Sequence, residues 1–111
     1  MELLKPSVEQ LVEEIVAVNQ AWKVARNLFD ETSPLATSLR DLKTCKQVRL
    51  LQNYGSKQVY LALDPASKGE PLYSILLRKP IGDRTNAEHI PVRVAEAVLS
   101  PEELRRLVEA N

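Results

Sequence analysis

One polar stretch, RKPIGDRTNAEH, gathers the side chains of this chain that could carry out acid–base chemistry. It contains His89, the only histidine, which could act as a general base if Asp83 or Glu88 held its imidazole in place. Neighbouring cations could then bind an anionic substrate. These cations are Arg78, Lys79 and Arg84.

The same stretch also has the composition of a surface connection between structured elements. Gly82 and Asp83 are turn-forming residues, and the remaining charges can simply be solvated. Glu88 and His89 are neighbours in sequence, so on a helix their side chains would diverge. The mixed charge favours polar recognition of a partner, and we predict no catalytic residue here.

A second candidate is the basic segment 40–57, which carries five cationic residues against one carboxylate. Arg40, Lys43 and Lys46 recur at every third position, so a continuous helix would present a stripe able to follow phosphates. Tyr54 could stack on a base. The whole chain is neutral, however, with 15 basic and 15 acidic residues, which is not typical of a nucleic-acid domain. Nucleic-acid binding is therefore the alternative hypothesis.

Signatures of the commoner enzyme and metal classes are missing from the sequence. Its three glycines are too widely spaced for a GxGxxG or P-loop motif, and there is no GxSxG nucleophile elbow. One cysteine, Cys45, and one histidine cannot supply the four ligands of a structural zinc site. We predict no metal, no cofactor and no enzymatic activity, with Cys45 an unreactive, half-buried thiol.

Length and composition predict a single globular domain over residues 1–111. The apolar fraction of 44% and the charged fraction of 27% are near the average for globular proteins. The lone cysteine fits a reducing compartment, and MELLKPSVEQ lacks the apolar core of a secretory signal. No apolar run approaches the roughly 20 residues that span a bilayer. We expect a cytoplasmic protein without membrane contact.

The first helix is predicted from about Ser7 to Phe29. Ser7 and Gln10 have the spacing of a capping box, and apolar residues form one broad stripe at 100° per residue. Trp22 and Phe29 lie on that stripe, which predicts that both aromatic side chains are in the core.

Further helices are predicted on both sides of the central region. Ser33 and Pro34 start a short second helix that ends near Cys45, with Leu35, Leu39 and Leu42 on its inner face. Residues 91–99 fit either a short helix or a fourth strand, and their apolar pattern favours the helix. Ser100, Pro101 and Glu103 start a last helix over 101–110.

Three strands are predicted between these helices, at 47–53, 58–64 and 71–79. YGSK forms a hairpin loop between the first two, and the short connections imply an antiparallel meander. Neither face of the predicted sheet is cleanly polar, so a further element or another chain is expected to cover the second face.

The sequence therefore predicts an α+β fold with two N-terminal helices, a three-stranded antiparallel meander and a C-terminal helix. The leading hypothesis for function is a small non-enzymatic protein-interaction module, an adaptor, assembly or regulatory factor, with homodimerisation left open. Nucleic-acid binding through 40–57 comes second, and an enzyme with His89 as base third. The predicted partner-binding residues are Arg40, Lys43, Lys46, Arg49, Arg78, Lys79, Asp83, Arg84 and His89.

Overall fold

A computed structural model of the chain describes residues 5–109 and confirms the α+β fold. Two N-terminal helices precede a three-stranded antiparallel sheet of order β1-β2-β3, and two short helices follow. No helix within residues 5–109 combines the length and apolar character needed to cross a bilayer. The elements are α1 (Val8–Leu28), α2 (Pro34–Gln58), β1 (Val59–Leu63), β2 (Leu72–Ile81), β3 (Arg84–Pro91), α3 (Val92–Val98) and α4 (Pro101–Glu109).

The first half of α1 forms and packs as predicted. The Ser7 hydroxyl accepts a hydrogen bond of 3.0 Å from the backbone N–H of Gln10, which satisfies an otherwise unpaired donor at the helix start. Apolar residues at helical spacing then face the sheet and become fully buried. They are Leu11, Val12 and Ile15.

The last turns of α1 do not pack as predicted. Phe29 is 63% exposed and Trp22 is half-buried, so the expectation that both aromatics lie in the core was wrong. Trp22 lines a cavity between the helices and the sheet. Phe29 lies on a different side of α1, beside the exposed Val24 and Leu28. Ala25 is buried in these turns, whereas the larger Val24, Leu28 and Phe29 remain on the surface.

Helix α2 is much longer than predicted and includes the segment 47–53, which was wrongly assigned to a strand. Gln47, Leu50 and Leu51 are buried together, and their spacing of three and four residues is helical. The predicted YGSK hairpin does not form. Tyr54 lies in α2, where its hydroxyl donates to the Pro6 carbonyl and the Lys5 ammonium sits over its ring.

Gly55 ends the regular part of α2 with a backbone conformation of φ 33° and ψ −156°, which allows the chain to turn into β1. A side chain there would meet no atom within 4 Å, so an alanine would be strained by its backbone alone. We expect Gly55→Ala to lower the free energy of unfolding by about 1–3 kcal/mol. Urea denaturation checks this, with Ser56→Ala as the neighbouring control. Equal stability of the two variants would contradict the strain.

The sheet contains two of the predicted strands and one that was missed. Strands β1 and β2 pair antiparallel with Leu61 opposite Ile75, which confirms the predicted strands at 58–64 and 71–79. The third strand is β3 rather than 47–53, so the segment predicted to be a surface loop pairs with β2. Gly82 and Asp83 do form the turn, in which Gly82 supplies the positive φ of 61°.

The two faces of the sheet differ in burial. The face toward the helices is buried, with Leu61, Ile75 and Ile90 fully inaccessible. Residues on the opposite face, including Tyr60 and Leu76, are only half-buried. Cover of this face by another chain therefore stays a prediction.

Both helices predicted after the sheet are present. Residues 92–98 are the helix α3 rather than a fourth strand. The capping box at α4 is complete, because the Ser100 hydroxyl accepts from the Glu103 N–H at 3.1 Å and the Glu103 carboxylate accepts from the Ser100 N–H at 2.9 Å. The predicted last residue of this helix, 110, lies outside the described residues.

Candidate functional site

The basic segment is divided among several surfaces rather than forming one stripe. Arg40 and Lys43 line a cavity between the helices and β3. Lys46 forms an ion pair of 3.0 Å with Glu14 of α1. Arg49 borders a different surface depression. Helix α2 does continue through these positions, but its cations have different neighbours, and phosphate binding by this segment stays a prediction. The Tyr54 hydroxyl donates to the Pro6 carbonyl.

The charged residues of the β2–β3 hairpin form a second, separate group. Arg78 donates to the Ser56 carbonyl at 2.6 Å and lies over the Tyr60 ring, so it ties the hairpin to the end of α2. Arg84 contacts the Glu88 carboxylate at 3.4 Å. Both arginines therefore have structural partners. The remaining members, Lys79 and Asp83, are exposed at the hairpin end.

His89 lies at the edge of the cavity with a carboxylate partner that the sequence did not reveal. Its Nε2 is 3.2 Å from Oδ2 of Asp64, which directly follows β1. The predicted partners are elsewhere, because Asp83 is in the hairpin turn and Glu88 pairs with Arg84. Asp64 was missed because strand pairing, not sequence proximity, brings it to His89.

The cavity has a volume of about 560 Å³ and lies between α1, α2, β3 and the start of α3. Its walls combine charged and polar side chains with apolar surface from Trp22, Leu72, Pro91 and Val94. Its size falls within the range of about 300–1,000 Å³ that is typical of small-molecule sites. It therefore has the dimensions of a ligand pocket.

Lys43 is a partly buried cation of this cavity. Its Nζ donates to Oδ1 of the buried Asn19 at 3.0 Å and lies 4.9 Å from the centroid of the Trp22 ring. Burial lowers the pKa of Lys43 below its ordinary value, because the ammonium loses hydration. The Glu88 carboxylate opposes this effect, and the neighbouring charges of Lys23 and Arg26 add to it. The folded chain thus holds a partly desolvated cation in the cavity.

Two carboxylates of the cavity wall are already engaged by arginines. Glu70 accepts a hydrogen bond of 2.7 Å from Arg93, and this contact raises the pKa of Arg93. Glu88 is 3.4 Å from Arg84. Neither carboxylate forms an ion pair with Lys43 among residues 5–109. The cavity therefore retains positive charge that its own carboxylates do not neutralise.

Gln47 holds the part of β3 that borders the cavity. Its Nε2 donates to the carbonyls of Ala87 and His89, each at 3.0 Å. Between them Glu88 has a positive φ of 65°, and the pairing with β2 shifts there, as in a β-bulge. Gln47 was missed because its segment was assigned to a strand.

A second surface feature, the apolar groove, lies at the end of the α1–α2 pair, on a different side of α1 from the cavity. Of the described residues that line it, Gln20 is the only polar one. Large apolar side chains at its walls are open to solvent, which is unusual unless a partner covers them. Their exposed fractions are 56% for Val24, 70% for Leu28, 63% for Phe29 and 50% for Leu35.

Cys45 is exposed on α2, so its predicted half-buried position was wrong. It lies well inside α2 rather than near a helix end, because α2 continues to Gln58. Within residues 5–109, no group of three or more His, Cys, Asp or Glu side chains is placed to hold a metal ion.

Comparison with known proteins adds no family to this description. Neither family models nor curated proteins nor solved structures gave a match. Function is therefore inferred from the residues and geometry of this chain.

Proposed function

We propose that this chain is a non-enzymatic protein-interaction module, and that the apolar groove binds an amphipathic helix of another protein. The observation that carries this proposal is the exposure of Val24, Leu28, Phe29 and Leu35 on one continuous surface. Burying such side chains against a partner contributes roughly 25 cal/mol for each Å² of apolar surface removed from water. A cytoplasmic location belongs to the same proposal.

The shape of the groove favours a helix as the occupant. Its walls come from two antiparallel helices, with Val24 and Leu28 one turn apart on α1 and Leu35 and Leu39 one turn apart on α2. Apolar residues spaced by three or four positions on a bound helix can pack between two such rows. An extended peptide would find no sheet edge here to pair with.

The charge around the groove favours a partner with basic residues. Asp30 and Glu31 are exposed in the turn that joins α1 to α2, directly after the groove residues Leu28 and Phe29. The cations Lys23, Arg26 and Arg40, which have no ion pair within residues 5–109, line the cavity and are not among the groove residues. Lysine or arginine at the end of a bound helix would therefore meet unneutralised carboxylates, which speeds association and fixes orientation.

Substitution of Leu28 tests the groove directly. We expect Leu28→Ser to weaken binding of a synthetic helical peptide of leucine and lysine by about tenfold or more, as for a central contact of an interface. The change should leave stability within about 0.5 kcal/mol of the original, because Leu28 is exposed. Fluorescence anisotropy of the labelled peptide measures the affinity.

Leu63→Ser is the matched control, because Leu63 is 65% exposed but lies at the end of β1. A peptide of the same composition with alternating leucine and lysine controls for charge alone. Equal affinity of the Leu28 and Leu63 variants would contradict the groove. If light scattering shows a dimer that Leu28→Ser dissociates, the occupant is a second copy of this chain instead of a basic helix.

A further inference from the structure

The cavity between α1, α2 and β3, on the other side of α1 from the groove, has an excess of unpaired positive charge. Among residues 5–109, Asp41 is the one carboxylate of its wall without an ion-pair partner, since Glu70 and Glu88 are engaged. The cations of the wall outnumber it. Those without an ion pair within residues 5–109 are Lys23, Arg26, Arg40 and Lys43.

Lys43 is the partly buried cation of this set that contacts a buried amide instead of a carboxylate. An ammonium group has three donors, and the contact with Asn19 Oδ1 uses one of them. No carboxylate lies within 4.0 Å of its Nζ among residues 5–109. Holding a partly buried cation without a counter-ion is costly, and a bound anion would remove that cost.

We propose that this cavity binds a small organic anion, a molecule of metabolite size whose carboxylate or phosphate group contacts Lys43. Its volume of about 560 Å³ can enclose such a molecule. Arg26 and Arg40 line the same space and have the planar donor geometry that matches both kinds of anion. This site is separate from the apolar groove, because the two linings share no residue.

Trp22 supplies both a wall of this site and a way to observe it. The Lys43 ammonium lies 4.9 Å from the centroid of its ring, and the Arg26 guanidinium lies 4.5 Å from it. An anion that draws either cation away from the ring changes the surroundings of the indole. Trp22 is the only tryptophan of the chain, so fluorescence excited selectively at the indole, apart from the three tyrosines, reports on this wall of the cavity.

The experiment is a fluorescence titration of the full chain with inorganic phosphate and, separately, with citrate, at constant ionic strength set by chloride. Each anion is raised to about 10 mM. We expect a saturable change with at least one of them, and which anion binds identifies the preferred group. Lys43→Gln should raise the half-saturation concentration about tenfold, because a charge-assisted hydrogen bond is lost. Lys57→Gln, which removes the same charge from the far end of α2, should leave it unchanged.

If Lys43→Gln does not fold, Arg40→Gln tests the site instead. Arg40 is exposed, so its replacement should not affect folding. It should also weaken binding about tenfold. No saturable change with either anion, or equal binding by the Lys43, Arg40 and Lys57 variants, would overturn the proposal. A salt-sensitive response to a single-stranded oligonucleotide, without one to phosphate or citrate, would also overturn it and favour a nucleic-acid surface.

Discussion

Replacing Leu50 with alanine is expected to lower the free energy of unfolding by about 3 kcal/mol, the largest effect of any substitution considered for this chain. Leu50 is fully buried in the core between α2 and the sheet. The loss combines the favourable free energy of burying the methyl groups, which is no longer gained, with the cost of the cavity that they leave. Urea denaturation followed by circular dichroism measures it.

Leu51→Ala should lower the free energy of unfolding by a similar amount. This second variant tests whether the segment is a helix as well as whether it is buried. Leu50 and Leu51 are both buried because neighbouring residues on a helix are only 100° apart. On a half-buried strand they would point to opposite faces. Leu42 lies on the same helix and is 44% exposed. Leu42→Ala should therefore lower the free energy of unfolding by less than about 1 kcal/mol. Equal losses at Leu42 and Leu50 would contradict the packing of α2.

Gln47→Leu is expected to lower the free energy of unfolding by about 2 kcal/mol. The substitution leaves the Ala87 and His89 carbonyls without the donor that Gln47 provides, and each unpaired buried acceptor costs about 1–3 kcal/mol. The loss is reduced because Oε1 of Gln47 itself has no partner among residues 5–109. Gln52→Leu, at an exposed position further along α2, is the control and should change the free energy of unfolding by less than about 0.5 kcal/mol.

The same variant should also disturb the edge of the cavity, since Gln47 holds the bulged part of β3 that carries Glu88 and His89. Amide spectra should therefore show changes along β3 in Gln47→Leu that are absent in Gln52→Leu. A Gln47 variant as stable as the original, with an unchanged β3, would mean that other groups satisfy these carbonyls.

The helix starts could be predicted because their signals are local. Ser7, Ser33 and Ser100 each cap a helix through a hydrogen bond to a backbone N–H three positions away. Such contacts depend on a few adjacent residues and not on the rest of the fold. The favoured helix at 92–98 also formed as expected.

The assignment of strands partly failed because short apolar runs fit both periods. In QVRLLQN, Val48 and Leu50 alternate as in a strand, but Gln47, Leu50 and Leu51 also have helical spacing, and the helix was correct. Strand β3 was missed because RTNAEHIP is polar. Its stability comes from pairing with β2 and from Gln47, which are contacts that the sequence of 84–91 does not display.

Neither the cavity nor the groove could be recognised from sequence, because each is assembled from distant segments. Lys43 and Asn19 meet only when α1 and α2 pack together, and His89 meets Asp64 only across the sheet. The groove was not predicted, for a different reason. Of its α1 residues, Ala25 and Phe29 were on the apolar stripe predicted to lie in the core, whereas Val24 and Leu28 were not assigned to it.

The end of the α1–α2 pair thus presents an apolar groove on one side and a cationic cavity on the other. The proposed function depends on the groove. The most direct test is an amide chemical-shift map of the isotope-labelled chain titrated with the leucine–lysine helix. We predict shifts concentrated at Val24, Leu28, Leu35 and Leu39, the groove walls, with little change at Lys43 or His89. Shifts centred on the cavity or the β2–β3 hairpin, or no shifts at all, would contradict the interaction module proposed here.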